Sequence, residues 1–267
     1  MEHEIQTSWE IIRVDEGAIS NEDEEIVTEF PITIMLNGEE FATVVCSPNN
    51  INELIIGILA SEGIIRFFKD IDSLNVDKER GFAYIEISKP LGDTQHDHSK
   101  RFIGSCCGKS RQFYFKSDVR TAKTITSRLT VTVEQCFALM KNLQTQSEHF
   151  QMTGGVHNAA LCTPNEMVII RTDIGRHNAL DKIYGHILQN KIPLSDKLIT
   201  FSGRISSEVL LKISKIGVGI LISKSAPTDL ALQLAEDLGI TVVGFVRGNK
   251  LNIYTHSHRI HGVNNDI

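Results

Sequence analysis

No stretch of this chain is long and apolar enough to cross a bilayer. Its longest nearly apolar run, Leu54–Ala60, falls far short of the ~20 residues a spanning helix needs. The first residues, Met1-Glu-His-Glu, lack the basic and then apolar pattern of a secretory signal. Positive charge is not in excess: 27 Lys+Arg face 33 Asp+Glu, a formal charge of −6. That balance argues against general nucleic-acid or membrane-surface binding. Cysteine is scarce and odd in number. Cys46, Cys106, Cys107, Cys136 and Cys162 form no C-x-x-C pair and no disulfide framework. This disfavours a structural zinc site built from paired cysteines. A reducing, cytoplasmic compartment is the expectation. No internal repeat or low-complexity tract is present.

What remains is ordinary globular material: 267 residues, 41% hydrophobic and 22% charged. Such a chain can bury a core without staples. The first part reads as strand-rich. Ile32–Leu36 and Phe41–Val45 flank an Asn37-Gly38 hairpin signal. Asn50–Ala60 reads as a helix, followed by strands over Ser73–Val76 and Phe82–Ile87. The acidic run Glu22–Glu25 reads as a solvated turn. From about residue 129 the rhythm changes. Helices are expected over Thr132–Ser147, His177–Leu188, Ser206–Ile216 and Pro227–Leu238. Strands are expected over Met167–Arg171, Leu198–Phe201, Val218–Ile222 and Thr241–Val246. The expected organisation is therefore a smaller strand-rich domain, 1–128, and an α/β/α domain, 129–267, giving an α/β (overall α+β) protein.

In an open α/β sheet, ligands bind beyond the carboxyl ends of the strands. Four loops at that edge carry Gly or Ser together with a cation: Thr172–His177, Ser202–Arg204, Ser223–Ala226 and Arg247–Lys250. Together they would make a basic, backbone-rich cleft suited to phosphates. Thr153-Gly-Gly-Val-His157 reads as a Gly-Gly turn before a helix start, which can bring backbone N–H groups onto an anion or a ring, and His157 can donate a hydrogen bond or exchange a proton. Asp173-Ile-Gly-Arg-His-Asn178 adds an Arg-His pair at a helix start, where Arg176 could meet a phosphate and His177 a base or sugar. Asp181 and Lys182 read as an exposed helix face. A zinc deaminase is disfavoured, because Ala159 stands where its H-x-E glutamate would be and no P-C-x-x-C follows.

Cys46 and Cys136 sit among apolar neighbours and read as core. Cys106-Cys107-Gly108-Lys109 differs. Lys109, Arg101 and Arg111 favour the thiolate, and Gly104 and Gly108 permit an exposed turn. This suits thiol exchange or sulfane-sulfur carriage.

Taken together, Thr153–His157, Asp173–Lys182, Ser202–Arg204, Ser225-Ala-Pro-Thr228 and Gly244–His256 resemble the formate dehydrogenase accessory sulfurtransferases, the FdhD family. Asn52–Gly57 and Ser61–Gly63 fit the same family. The resemblance implies a sulfur carrier. It would take sulfur from a cysteine desulfurase as a persulfide and deliver it to the molybdenum or tungsten of a bis-guanine-dinucleotide pterin cofactor. That cofactor, Mo-bis(molybdopterin guanine dinucleotide), is a client for formate dehydrogenase, and no metal is permanently bound. The resemblance also implies a larger domain of cytidine-deaminase-like fold and a homodimer.

Aligned on Gly108-Lys109, Cys107 matches the family's second cysteine and is the expected carrier, with Cys106 as helper. In many members the two cysteines are separated by two residues, whereas here they are adjacent. The resemblance carries over Phe245, Val246, Arg247, Gly248, Asn249 and Lys250 to the cofactor. Gly154, Gly155, His157, Asp173, Arg176, His177 and Arg204 are assigned to the guanine-nucleotide cleft from their motifs and the expected sheet edge. Two other readings compete. One is a cofactor-binding chaperone without chemistry. The other is a nucleotide-binding hydrolase using His157 or His177.

Overall fold

The computed structural model describes residues 4–88, 101–103 (backbone only), 121–146 and 153–262. The strands, in chain order, begin with β1 (Gln6–Asp15), β2 (Ala18–Val27), β3 (Phe30–Leu36) and β4 (Glu39–Cys46). Helix α1 (Ile51–Ser61) leads to β5 (Ile71–Asp77), β6 (Phe82–Ile87) and β7 (Arg101–Ile103). The short β8 (Val131–Thr132) runs into α2 (Val133–Thr145), then β9 (His157–Cys162) and β10 (Met167–Asp173). Next come α3 (Arg176–Asn190), β11 (Leu198–Phe201), α4 (Ser207–Ile216), β12 (Ile220–Ser223) and α5 (Asp229–Leu238). The fold closes with β13 (Thr241–Arg247), β14 (Lys250–Ile253) and β15 (Ile260–His261). Among the described residues no helix is long and apolar enough to cross a membrane.

Strands β3 and β4 form the expected hairpin, turning at Asn37 and Gly38, whose φ values are 49° and 82°. Both residues tolerate this left-handed backbone. With β5, β6 and β7 they make a five-stranded sheet in the order β5-β6-β3-β4-β7. Its buried face, including Ile32, Ile34, Val44 and Ile85, shares one core with α1 and α3. Helix α1 is apolar almost all round, and ten of its 11 residues are buried. A helix of that kind must be covered on more than one side.

The second sheet has six strands in the order β10-β9-β11-β12-β13-β14. Its centre, β11-β12-β13, is parallel, while β9 runs antiparallel to both β10 and β11. Alternation divides its side chains between two cores. Ala159, Leu161, Ile199, Phe201, Leu221 and Val242 face α3, α4 and α5. Ala160, Cys162, Leu198, Ile220, Ile222 and Val243 face Cys136, Leu139, Met140 and Leu143 of α2. The sheet is therefore the middle of three α/β/α layers, as the alternating pattern implied. Helix α2 starts at the Thr132/Gln135 capping box: Gln135 N donates to Thr132 Oγ1 at 3.2 Å, and Thr132 N donates to Gln135 Oε1 at 2.8 Å.

Three sequence expectations are corrected. The Gly154-Gly155 turn leads not into a helix but into strand β9, whose small and apolar residues Ala159, Ala160 and Leu161 are buried between β10 and β11. Glu22–Glu25 is not a turn but lies within β2, and the turn is Glu16-Gly17. Strands exposed along most of both faces give little burial alternation to read. Asp181 and Lys182 are not on an exposed face; they are 3% and 0% exposed. Helix α3 lies between α1 and the second sheet, so it has little outer surface. Asp181 accepts hydrogen bonds from Ser61 Oγ at 2.7 Å and Lys212 Nζ at 2.6 Å. Burial pushes its carboxyl above the usual range, against the pull of Lys212.

The α1–α3 crossing is in backbone contact. A Cβ on Gly57 would lie 1.8 Å from the Asp181 carbonyl oxygen, and one on Gly185 1.8 Å from that of Glu53. Neither carbonyl can yield without moving its helix. Gly57→Ala or Gly185→Ala should lower stability by about 3 kcal/mol, read as an earlier midpoint in urea unfolding. An unchanged midpoint would contradict the close crossing.

Candidate functional site

Strand directions gather the candidate residues. β10, β11, β12 and β13 run the same way, so Asp173, Phe201, Ser223 and Arg247 end at one edge of the sheet. β9 enters at that edge through His157, which pairs with Asp173, and β14 leaves it from Lys250, which pairs with Arg247. The four cation-bearing loops therefore meet, together with the Gly154-Gly155 turn that precedes β9.

A cavity of about 220 Å³ opens on the α2 side of this edge. His157, Asn158, Ser202, Lys224, Ser225 and Arg247 give it polar walls, and Met140, Leu143 and Gln144 close it from α2. Backbone bonds brace the loops: Phe245 N donates to Ser225 O at 3.2 Å and Lys224 N to Phe201 O at 3.1 Å. Ser225 Oγ donates to Ser202 O at 2.9 Å. The Arg247 guanidinium lies 5.4 Å from the Phe245 ring centroid, and its Nε donates to Lys224 O at 3.2 Å. Phe245 is held at φ 52°, a backbone conformation rare for a bulky residue. Gly248 has φ 55° and open space where a Cβ would stand, so a ligand can approach its backbone. Val246 is buried, while Asn249 and Lys250 are exposed.

Arg176, His177 and Arg204 stand on the α3–α4 side of the same edge. Arg176 packs beside Gly203, whose Cβ would lie 3.3 Å from that of Arg176. His177 Nε2 is 3.4 Å from Glu208 Oε2 in the first turn of α4. Arg204 is exposed. His157 links the two sides. Burial lowers its pKa from the ordinary 6.5, the nearby Arg176 charge lowers it further, and Asp173 partly opposes them. The resting imidazole is therefore neutral, with one nitrogen to accept and one to donate.

Asp173 does not face the cavity. It is fully buried, and its oxygens are occupied by protein. Oδ2 accepts from Lys182 Nζ at 2.7 Å and Ser47 N at 3.1 Å. Oδ1 accepts from Gly175 N at 2.8 Å and Asn178 Nδ2 at 2.9 Å. Lys182 also donates to Asn49 Oδ1 at 2.8 Å and Thr172 O at 3.0 Å. Asp173 thus sets the floor on which Arg176 and His177 stand.

Sequence reasoning included Lys224, Ser225 and Ser202 in the edge loops but did not single them out as site residues. It missed Met140, Leu143 and Gln144. The helical periodicity of α2 makes Met140 and Leu143 core positions, and nothing in that pattern shows that the last turns overhang a cavity.

The cysteines divide sharply. Cys46, Cys136 and Cys162 are buried. Burial, with Asp173 adding to it at Cys46, pushes the Cys46 thiol up to about 12. Burial likewise raises Cys136 to about 12 and Cys162 to about 11. None can supply a useful thiolate near neutral pH. Cys106 and Cys107 lie outside the described residues.

The model of the FdhD/NarQ family matches residues 27–261. The sulfur carrier protein FdhD of Bacillus subtilis (strain 168) is 56% identical over 260 residues, covering 97% of this chain and 99% of that protein. The protein of the same name from Geobacillus kaustophilus is 58% identical over 250 residues, covering 94% and 95%. A crystal structure assigned to a formate dehydrogenase accessory protein of Desulfotalea psychrophila superposes with a TM-score of 0.78 at 22% identity. It covers 96% of this chain and 100% of that one, and at that identity it supports the fold alone.

The His157 environment is open to titration. Its folded pKa lies below 6.5, so the folded state takes up this proton less readily than the unfolded chain. The contribution to stability is whole above pH 6.5 and is lost as pH falls from there toward the folded pKa. NMR of the His157 ring should show the depressed value, and Arg176→Gln should raise it partway, because burial is the larger cause. No movement in that variant would remove Arg176 from the imidazole's surroundings.

Proposed function

The chain belongs to the FdhD/NarQ family, and we propose that it is a sulfur carrier serving formate dehydrogenase. In this reading Cys107 receives sulfur from a cysteine desulfurase as a persulfide, with Cys106 adjacent as helper. The sulfur then passes to the molybdenum or tungsten of a bis-guanine-dinucleotide pterin cofactor, which is the client substrate. Loading is a thiol exchange: the Cys107 thiolate attacks the outer sulfur of the donor's persulfide. The S–S bond breaks, and the donor leaves as a thiolate, with no net oxidation.

The observation that carries this reading is the division of the thiols. Three of the five cysteines are buried and pushed to about 11 or 12, which leaves Cys106 and Cys107, beside Lys109, for chemistry. The names of the relatives support the carrier role. The cleft supports the client. Lys224 and Arg247 at the cavity, with Lys250 in the adjoining loop, suit the pyrophosphates of a dinucleotide, and Arg204 adds a cation on the other side of the same edge. Met140 and Leu143 give an apolar wall against which a ring can lie. His157, Ser202 and Ser225 offer donors and acceptors for a base or sugar.

The test is intact-protein mass after incubation with a cysteine desulfurase and free cysteine. A reducible gain of one sulfur atom should appear in the wild type and in Cys106→Ala, and vanish in Cys107→Ala. No gain in any of them, with an active desulfurase, would overturn the carrier reading. The cleft has its own probe. GDP should bind in a salt-sensitive way, and Arg247→Ala should weaken it by about tenfold. Unchanged GDP affinity in that variant would place the guanine nucleotide elsewhere.

A further inference from the structure

The N-terminal hairpin takes no part in the cleft. β1 and β2 pair from Gln6↔Val27 to Asp15↔Ala18 as a sheet of two strands only. Such a hairpin alone in water is marginal, and this one is apolar where water covers it. Ile12, Val14 and Ile19 share one face and are 71%, 66% and 74% exposed. Val14 and Ile19 are direct cross-strand partners near the tip.

Toward the root the same face carries Glu10, Asp23 and Glu25. Glu10 stands directly opposite Asp23, a like-charge pairing that weakens the hairpin itself. On the other face Arg13 pairs with Glu22 at 2.8 Å and Glu24 at 3.6 Å. Over Gln6–Val27 there are seven carboxylates and one arginine, so the hairpin alone carries a charge equal to the −6 of the whole chain. The rest of the molecule has equal numbers of cationic and acidic side chains. Among the described residues, this self-repelling charge and exposed apolar surface, concentrated on one hairpin, have no counterpart that they stabilise.

We propose that the Ile12/Val14/Ile19 face docks formate dehydrogenase, engaging a shallow apolar socket rimmed by lysines or arginines on that enzyme. The inference rests on the reading above, in which the cleft holds that enzyme's cofactor. The hairpin is rooted beside the cleft: a Cβ on Gly155 would meet Val27 Cγ2 at 2.8 Å, and Gly155 lies two residues before His157 on the cavity wall. A protein gripped by the arm is therefore tethered within about 30 Å of the cleft, a span that a recipient enzyme covers. The charge excludes several other occupants, and the root beside the cleft favours the recipient of sulfur over its donor. Nucleic acid and anionic membranes are repelled, and a second arm would set acid against acid.

The experiment measures binding of the full-length protein to cofactor-free formate dehydrogenase from the same cell on a biosensor, at low and at physiological salt. Two variants are compared with wild type: Ile12→Ser/Val14→Ser/Ile19→Ser and Glu10→Gln/Asp23→Asn/Glu25→Gln. The second removes the opposed carboxylates, so it cannot act by weakening the hairpin. Each should lower affinity by about tenfold at low salt, and the second should also flatten the salt dependence. Desulfurase-dependent gain of sulfur should be unchanged in both. Unchanged affinity for formate dehydrogenase overturns the inference, as does loss of sulfur loading instead, or self-association that depends on the arm. Intact sulfur uptake with unchanged binding overturns the docking surface alone. A wild type that takes up no sulfur overturns the carrier reading and the docking inference with it.

Discussion

An ion pair with no exposed surface, Asp173 with Lys182, lies where the two large sheets and the cleft meet. Asp173 ends β10, Lys182 lies in the second turn of α3, and Ser47 and Asn49 reach them from the loop after β4. Asn178 extends the network by donating to Val45 O at 2.9 Å. Removing one partner from such a pair strands a buried charge, at a cost of about 3–5 kcal/mol. Here every oxygen of Asp173 has its donors, so the group is matched where it sits. The consequence is local precision. Arg176 and His177 begin α3 directly above Asp173, and His157 pairs with it across the strands. Flanking bonds tie the same regions: Arg171 is paired with Glu53 of α1, and His186 Nδ1 lies 2.8 Å from Glu53 Oε1.

Charge distribution explains how an acidic protein can present a site suited to phosphates. Cations are gathered at one sheet edge by strand direction, while the surplus carboxylates are held on β1 and β2. Salt screens exposed charges from one another beyond about 10 Å, which limits the reach of those carboxylates. The cleft's cations are further set off by an apolar wall from α2, which reduces competition from water.

Much of the second sheet was legible in the sequence. Leu198–Phe201 is a strand with the bounds expected, and α4 and α5 begin within two residues of the expected Ser206 and Pro227, where Ser206 and Thr228 accept from Val209 N and Ala231 N. Those signals are local, and local physics decides them. The convergence of the four loops was legible because parallel strands share their carboxyl ends. The depth of Asp173, Asp181 and Lys182 was not. Their burial comes from α1 crossing α3 at Gly57 and Gly185, a contact between residues more than a hundred positions apart. The hairpin escaped because its burial pattern has no periodicity. The α2 wall of the cavity escaped because the same helical spacing serves core and cleft alike.

The central claim is that cofactor binding and sulfur transfer belong to different parts of this chain, the cleft and the Cys106-Cys107 pair. The most direct measurement is formate dehydrogenase activation by the Cys106→Ala/Cys107→Ala protein, with its affinity for the guanine-nucleotide cofactor measured in parallel. The account predicts cofactor affinity equal to wild type and no activation. Activation by the protein lacking both cysteines would contradict it.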